Sequence, residues 1–488
     1  MKKTTKIITL LLALFILCSA FASCANKNGN EESTTVDKAQ GENTNSEDTA
    51  EVEEKPDVEK KNYGKEFSIL AMADMFKEDY FYAKENTGND MTYEIYQRQI
   101  NLKDYLGVDI RYTSYDDFLT YTDGFKTSVT AKDGSYNLIL THVYYGVSDL
   151  VSGNYLCSFD DFDSINLDAD YWNKSVMDDV EYRGEHYLGY SDFNLAYVYL
   201  IAFNKRIYND ISHNLDKSLY DLVNDREWTL DKMLEISKLY GGDADGDGQI
   251  TENDNFGMVG LMWVPMCSFL QSSNLNIIAK GSSGDYQLTI NTPKTVELIE
   301  KLREFVAADY TWLYFHTASE EEQIGLKTDR ALFALLQSYQ LIELKDTAVK
   351  FGVLPYPMYN LSQKDVGYRT LSWNGFMGIA NDVKDKNMVG DTLEMLSYYS
   401  KPVTTVFYER LLGAKVAEAP EDAAMLKLIW ASQVSDPGLT YSFFDGSLDT
   451  LLYAIPRCIN ENKQFASYYK GASRAAIKAV NKYLNGTK

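Results

Sequence analysis

The sequence predicts an α/β protein built as two lobes, each an open sheet flanked by helices. Three observations support this fold class. Apolar strand-like runs alternate with helical patterns from Phe67 to Leu140, which is typical of mostly parallel sheets. The alternation starts again after Tyr190, and the 488-residue chain is long enough for more than one domain. Two open sheets in one chain leave a crevice between them, where ligands of this architecture bind.

The N-terminus predicts export and attachment to a membrane. Lysines precede an apolar run from Ile7 to Leu17, which is too short to span a bilayer stably. The run leads to Phe21-Ala22-Ser23-Cys24, which resembles the bacterial lipobox. Residues 1–23 are therefore expected to be a lipoprotein signal peptide. Cys24 would carry the lipid that anchors the protein on the extracellular side of the cell membrane. A plain secretory signal, in which Cys24 has no role, is the alternative.

Residues 24–63 predict a disordered acidic tether. Residues 25–62 contain eleven acidic residues against five lysines and almost no large apolar side chain. Such a segment cannot bury enough apolar surface to offset its loss of conformational entropy. We therefore expect the folded body to begin near Phe67 and to be held away from the membrane.

The body begins with alternating strands and helices. Strands are predicted at 67–72, 108–112 and 136–140, and helices at 92–106 and 118–130. The first helix is expected to have its N-cap at Asn89 or Asp90. After Tyr190, strands are predicted at 197–203, 256–262 and 331–336. These strands would form the second sheet.

Composition limits the partners that the protein can have. Loss of the signal peptide, with its lysines, changes the formal net charge from −24 to −27. An acidic chain is not expected to bind nucleic acid or to adsorb directly to anionic lipid. Cys157, Cys267 and Cys458 form neither a disulfide framework nor a CxxC metal pair. We expect them to be buried small side chains; a single disulfide between two of them is the alternative.

A series of short motifs resembles a known family. It consists of Trp172-Asn173 within Asp170–Lys174, Tyr187–Phe193, Phe203-Asn204-Lys205, Leu219–Val223, Trp228–Met233 and Asp243–Asp254. In order and spacing these motifs resemble the extracellular solute-binding proteins of bacterial carbohydrate ABC importers, family 1, related to maltose-binding protein. The resemblance covers nearly all of the chain from Phe67 onward, although no single motif is diagnostic.

The resemblance implies a periplasmic-binding-protein-like fold of type II, with hinge strands joining the lobes. It also implies a protein that is not an enzyme, but binds a sugar between its lobes and delivers it to ABC permease subunits in the membrane. We expect a monomer. By the same resemblance, residues 64–196 and 372–422 form lobe 1, and residues 197–371 and 423–488 form lobe 2.

The loop Asp243–Asp254 predicts a structural calcium site. Asp243, Asp245 and Asp247 hold the first, third and fifth positions of an EF-hand loop, and the carbonyl of Gln249 would supply the seventh. Asp254 stands where an EF-hand has a bidentate Glu, and a strand rather than a helix follows. Both departures favour a weak structural Ca²⁺ site over a sensor. An acidic turn that binds no ion is the alternative.

Aromatic residues near the predicted crevice are candidates for sugar binding, because pyranose rings stack on aromatic faces and sugar hydroxyls pair with carboxylates and amides. From the resemblance, the ligand-binding candidates are Trp172, Asp192, Trp263, Tyr339, Trp373 and Asn374. Core packing is the commoner role for any single aromatic residue. We expect Trp228 and Trp430, which lie in helical patterns, to be core residues.

Two other functions stay open. An anchored extracellular glycoside hydrolase would also have an aromatic cleft, and the many carboxylates here allow any catalytic pair to be proposed. The sequence has no G-x-S-x-G, H-E-x-x-H or phosphate-binding loop motif. The same fold could instead bind a non-sugar solute such as a peptide.

Overall fold

The computed structural model describes residues 55–73, 76–195, 197–251, 253–314, 327–344, 347–373, 375–408, 420–444 and 447–486. The chain divides into two compact units, Met1–Glu54 and Lys55–Lys488, and the description below concerns the second. The predicted signal peptide, Cys24 and the tether as far as residue 54 lie outside the described residues. Within the described part of the chain, no helix is both long and apolar enough to cross a membrane.

The strands alternate with helices along most of the chain. The strands are β1 (Lys65–Met72), β2 (Val108–Tyr115), β3 (Leu138–Leu140), β4 (Leu156–Cys157), β5 (Tyr199–Asn204), β6 (Phe256–Leu261), β7 (Ile278–Lys280), β8 (Tyr286–Leu288), β9 (Thr311–Tyr314), β10 (Ala331–Gln337), β11 (Phe351–Leu354), β12 (Thr370–Leu371), β13 (Met377–Ala380) and β14 (Gln433–Val434).

The helices are numbered in the same way. They are α1 (Glu78–Phe81), α2 (Asp90–Leu106), α3 (Phe118–Ala131), α4 (Val147–Ser152), α5 (Lys174–Asp179), α6 (Lys205–Ile211), α7 (Leu219–Asn224), α8 (Leu230–Ser237), α9 (Val264–Ser272), α10 (Pro293–Val306), α11 (Ser338–Glu343), α12 (Lys386–Tyr398), α13 (Lys401–Val406), α14 (Pro420–Ala431), α15 (Pro437–Thr440), α16 (Asp449–Leu452), α17 (Ala454–Asn460) and α18 (Phe465–Ala479).

The first lobe is built on a sheet in the order β2-β1-β3-β13-β4. β1 runs parallel to β2 and β3, as the predicted strand–helix alternation requires. The long helix α2 begins after Asn89, whose side chain accepts hydrogen bonds from the backbone nitrogens of Met91 (2.8 Å) and Thr92 (3.3 Å). This confirms the predicted N-cap. The helix ends at Gly107, which has a left-handed φ of 64°.

The second lobe is built on a sheet in the order β11-β5-β10-β6-β9. β10, β6 and β9 are parallel, whereas β5 is antiparallel to both of its neighbours. In the first lobe, β13 is likewise antiparallel to β3 and β4. The two sheets are therefore mixed rather than mostly parallel. The chain enters β5 and β13 directly from the other lobe. Neither strand is therefore connected to its neighbour by a right-handed helical crossover, the connection that makes neighbouring strands parallel.

Two extended segments cross between the lobes side by side. One leads through Val198 into β5, and the other passes through Ser372 and Trp373 on its way to β13; Val198 and Ser372 form an antiparallel bridge. The Tyr190 hydroxyl lies 2.7 Å from Ser372 Oγ and donates to Gln433 Oε1 at 2.8 Å. The hinge is thus tied to residues of both lobes.

The last part of the predicted tether is ordered, which corrects the expectation that residues up to 63 are disordered. Lys61 Nζ and the Tyr63 hydroxyl both donate to Asp391 Oδ2, at 2.8 and 2.7 Å. The Tyr105 hydroxyl donates to the carbonyl of Val58 at 2.8 Å, and Val58 itself is buried. These contacts hold the segment against the first lobe. The Asp391 carboxylate is only 4% exposed, and a buried charge needs hydrogen-bonding partners such as Lys61 and Tyr63.

The core predictions hold for some residues and fail for one. Cys157, Cys267 and Cys458 are free and buried, as expected. Trp228 is fully buried and its Nε1 donates to the carbonyl of Pro355 at 2.9 Å. Trp430 is only partly buried, because its face of α14 borders an open crevice.

His186 joins two carboxylates of the first lobe. Its Nδ1 lies 3.0 Å from Asp160 Oδ1, and its Nε2 lies 2.8 Å from Asp178 Oδ1. Burial lowers the pKa of His186, but the hydrogen bonds and charges of the two aspartates outweigh burial and raise the pKa above 6.5. The stability that this histidine contributes is therefore fully present below its unfolded pKa and is lost as pH rises through its folded pKa.

We expect H186Q to reduce the free energy of unfolding more at about pH 6 than at about pH 8.5. Urea denaturation of the wild type and the variant at both pH values measures this difference. H213Q is the control, because His213 is exposed in a surface turn. A wild-type advantage that is the same at both pH values would contradict the prediction.

Candidate functional site

The cleft between the lobes is lined by residues that follow the carboxyl ends of strands. His142, Tyr144 and Tyr145 follow β3 in the first lobe. In the second lobe, Trp263 follows β6 and Tyr339 follows β10. Loops at this edge of an α/β sheet are the usual place for a ligand site. Trp263 and Tyr339 therefore follow strands at the predicted places, and their role as ligand residues stays a prediction.

Aromatic side chains of both lobes meet in this cleft. The rings of Tyr144 and Phe443 are stacked, with centroids 5.3 Å apart and an interplanar angle of 5°. Trp263 stacks on Tyr453 at 4.4 Å, and the hydroxyls of Tyr453 and Tyr144 are 3.5 Å apart. Because lobe 1 contributes Tyr144 and lobe 2 contributes the others, the two lobes are in direct contact here.

Trp373 belongs to the same group of rings. It packs edge-on against Tyr144 at 5.5 Å and against Tyr199 at 5.8 Å. We call this group the cleft cluster; it comprises Tyr144, Tyr145, Tyr199, Trp263, Trp373, Phe443 and Tyr453. Asn374, the neighbour of Trp373 and also a predicted ligand residue, lies outside the described residues.

His142 supplies a polar group beneath the cleft cluster. Its Nδ1 accepts hydrogen bonds from the backbone nitrogens of Tyr144 and Tyr145, both at 3.2 Å. Burial lowers the pKa of His142 to about 3, so the imidazole is neutral at physiological pH. Because Nδ1 is an acceptor, the proton is assigned to Nε2, which makes that atom a hydrogen-bond donor of fixed identity.

Tyr339 lies in a neighbouring group of rings that also joins the lobes. It packs edge-on against Tyr197 at 5.7 Å, and Tyr197 contacts Phe407 at 6.2 Å. Phe407 in turn packs against Tyr80 of α1 at 5.7 Å. The backbone of Trp373 donates to the carbonyl of Tyr197 at 3.0 Å, which connects this group to the cleft cluster.

Trp172 and Asp192 are not part of the cleft cluster. Trp172 is 4% exposed, and its Nε1 donates to Glu394 Oε2 at 2.9 Å. Both residues border a different crevice, of about 440 Å³, on the side of the hinge where Tyr190 and Gln433 lie. The ring of Trp172 is held by core packing, so it offers little face for a sugar. This placement corrects the expectation that Trp172 lies in the cleft.

Sequence reasoning missed most of the cleft cluster. Tyr144 and Tyr145 follow the strand predicted at 136–140, which is the same positional signal that selected Tyr339. That signal was sufficient to find them. Phe443 and Tyr453 come from the last part of the chain, far from any predicted strand end, and no pattern in the sequence places them opposite Tyr144.

The acidic loop brings three of its predicted ligands together. Carboxylate oxygens of Asp243, Asp245 and Asp247 lie within 4.8 Å of one another and are exposed. Asp243 accepts hydrogen bonds from the backbone nitrogens of Gly246 (2.6 Å) and Gly248 (2.7 Å), which curl the loop around it. Gly248 has a φ of 81°, which suits the sharp turn expected at the sixth position.

Asp254 has a different position from the one predicted. It is fully buried and accepts hydrogen bonds from the backbone nitrogens of Ala244 and Thr251, both at 2.7 Å. It is not among the three carboxylates that converge. Asp254 therefore closes the loop, and a cation would be held mainly by Asp243, Asp245 and Asp247, with the Gln249 carbonyl.

The chain is similar in structure to solved sugar-binding proteins. One is an ABC substrate-binding protein from Listeria monocytogenes in complex with cycloalternan, with a TM-score of 0.55, 12% identity, and 87% of this chain and 100% of that chain covered. Another is the GacH receptor of Streptomyces glaucescens, solved unliganded and with acarbose, with a TM-score of 0.55, 11% identity, and coverage of 87% and 99%.

A third is the maltose/maltodextrin-binding domain MalE from Bdellovibrio bacteriovorus bound to maltotriose, with a TM-score of 0.53, 13% identity, and coverage of 86% and 99%. No family model matches the chain, and no curated protein matches it significantly. At these identities the likeness shows the fold. The two-lobed, periplasmic-binding-protein-like α/β fold expected from the resemblance is confirmed; the three proteins compared are a substrate-binding protein, a receptor and a maltose/maltodextrin-binding domain.

Proposed function

We propose that this protein binds an extracellular sugar or oligosaccharide in the cleft and delivers it to the permease of an ABC importer. The observation that carries the proposal is the cleft cluster, in which lobe 1 contributes Tyr144 and lobe 2 contributes Trp263 and Tyr453. Apolar faces of pyranose rings can stack on such side chains. The likeness to proteins solved with cycloalternan, acarbose and maltotriose supports the same ligand class.

The geometry gives a mechanism that needs no covalent chemistry. A sugar between the lobes would stack on Trp263 and Trp373, and the Nε2–H of His142 and the tyrosine hydroxyls are donors for its oxygens. A ligand that touches both lobes favours the closed state, because only there are both sets of contacts made. The permease would then distinguish the closed protein from the open one.

The free energies of these contacts are sufficient for binding a sugar at micromolar concentration. A micromolar Kd requires about −8 kcal/mol. Burying two or three ring contacts contributes roughly 1.5–3 kcal/mol each, and each net hydrogen bond adds about 1 kcal/mol. Part of this sum offsets the cost of immobilising the ligand and the lobes.

Thermal unfolding in the presence of oligosaccharides tests the proposal. A ligand at one hundred times its Kd should stabilise the protein by about 2.7 kcal/mol. A panel of maltodextrins, cyclic glucans, other oligosaccharides and short peptides would identify the ligand class, and chromatography of the recovered sugar would detect cleavage. Stabilisation by peptides alone, or recovery of a cleaved sugar, would overturn the proposal.

We propose that the protein is held at the outer face of the cell membrane by lipid on Cys24. The proposal rests on the lipobox-like sequence before Cys24 and on the acidic segment that follows it. Metabolic labelling with an alkyne fatty acid should mark the wild type and not C24S, and C24S should be released into the medium. Equal labelling of the two proteins would contradict the anchor.

We propose that the loop Asp243–Asp254 binds a structural Ca²⁺ ion. The three converging carboxylates offer the hard oxygen ligands that Ca²⁺ prefers, with a Kd of about 0.1–1 mM expected for an extracellular module. Calcium is expected to raise the melting temperature of the wild type and of the exposed control D163N, but not of D245N. Isothermal titration calorimetry checks the affinity directly. An equal calcium response of D245N would show that the ion binds elsewhere.

A further inference from the structure

The crevice beside the hinge has no part in the function proposed above. Its volume of about 440 Å³ is within the range of small-molecule sites. Both lobes form its walls: Asn173 and Asp192 belong to the first lobe, and Trp430 and Gln433 belong to the second. We call it the hinge-side crevice.

The hinge-side crevice and the cleft lie on opposite sides of a crossing segment. Consecutive residues of an extended segment point in opposite directions. The Ser372 hydroxyl is hydrogen-bonded to Tyr190, which borders the crevice. The ring of Trp373 instead contacts Tyr144 and Tyr199 in the cleft. A rotation about the hinge that opens one space therefore narrows the other.

The lining residues favour a neutral ligand with several hydroxyl groups. The charged residues at the crevice are two acidic and two basic, Asp170, Asp192, Lys174 and Lys427, so its formal charge is balanced. Asp170 and Lys174 are already paired with Lys401 and Asp168, at 2.8 and 2.6 Å. A net anion or cation would therefore find no excess of opposite charge.

The same crevice offers aromatic and amide groups. Trp430 and Tyr408 are partly buried and in ring contact with each other, and both border the space. Asn173 adds an amide at the edge of the space, and its Oδ1 also accepts a hydrogen bond from the backbone nitrogen of Val176 at 3.2 Å. The amide of Gln433 is engaged within the wall, because Oε1 accepts from the Tyr190 hydroxyl and Nε2 donates to the carbonyl of Trp430. Aromatic faces beside an amide, from Asn173, and a carboxylate, from Asp192, are suited to a sugar ring or a polyol.

We propose that the hinge-side crevice is a second binding site, for a neutral polyhydroxylated molecule of monosaccharide size. Because its walls come from both lobes, the occupant makes all its contacts in the arrangement of this structure, in which the crevice is formed and Tyr144 touches Phe443 and Tyr453 across the cleft. Occupation therefore opposes a rotation that would separate these rings and narrow the crevice. The coupling between the two sites is reciprocal.

Calorimetry with neutral hexoses, pentoses and pentitols tests the site on the full mature chain. We expect at least one of these probes to bind the wild type and W263A with affinities within about twofold of each other. The same probe should bind W430A and D192N at least about tenfold more weakly, which is about 1.4 kcal/mol. D192N preserves side-chain volume, so it separates a loss of recognition from a loss of packing around Trp430.

Two results would overturn the proposal of a second binding site. In one, no probe binds the wild type; in the other, W430A and D192N bind as well as the wild type does. Neither result affects the cleft, because oligosaccharide binding to the cleft is measured separately through W263A. Small-angle X-ray scattering tests the coupling: a saturating probe should reduce the radius of gyration of the wild type but not of W430A. An unchanged wild-type radius would overturn the coupling.

Discussion

W263A is expected to weaken oligosaccharide binding by about ten- to one-hundred-fold. Trp263 stacks on Tyr453 at 4.4 Å with an interplanar angle of 20°, and its ring is only partly buried. Loss of an aromatic contact with the ligand removes roughly 1.5–3 kcal/mol of apolar burial. That free energy corresponds to the stated loss of affinity.

The measurement for W263A is the Kd of the best oligosaccharide, by calorimetry, for wild type and variant. Y93A is a matched control, because Tyr93 is an aromatic residue exposed on α2 and away from the cleft. Y93A should bind as the wild type does. If W263A bound the oligosaccharide with unchanged affinity while remaining folded, Trp263 would not contact the ligand and the proposed cleft would be wrong.

Much of the fold could be predicted from local sequence patterns. The strands β1, β5, β6 and β10 were expected within a few residues of their bounds, because apolar runs bounded by polar residues report burial directly. Strand direction was harder. β5 and β13 are antiparallel because the chain enters them from the other lobe, and such crossings leave no local signal.

The candidate site was less predictable because it is assembled from distant parts of the chain. Trp263 and Trp373 were expected near the cleft from their positions after a strand and at a crossing. The predictions for Trp172, as a residue of the cleft, and for Trp430, as a core residue, were wrong. The sequence around a single tryptophan does not show whether its ring is covered by other side chains. In the structure the first is anchored by Glu394, and the second borders the hinge-side crevice.

E394A is expected to destabilise the first lobe by about 3–5 kcal/mol. The Glu394 carboxylate is 1% exposed and accepts hydrogen bonds from the Tyr171 hydroxyl, from Trp172 Nε1 at 2.9 Å and from the backbone nitrogen of Asn166 at 3.2 Å. Alanine would leave these buried donors without their acceptor. Urea denaturation of wild type and variant, followed by tryptophan fluorescence, measures the loss.

E394Q separates the hydrogen bonds of Glu394 from its charge. Glutamine keeps the shape and one acceptor oxygen but turns an NH₂ group toward donors, so we expect a smaller loss, of about 1–2 kcal/mol. Burial raises the pKa of Glu394, although its hydrogen bonds oppose this shift. A raised folded pKa means that the folded state holds its proton more tightly than the unfolded state does. The stability of the wild type relative to E394Q should therefore fall as pH rises from the unfolded pKa, near 4.5, through the folded pKa. A difference that instead grows with pH would show that the three donors stabilise the carboxylate more than burial penalises it.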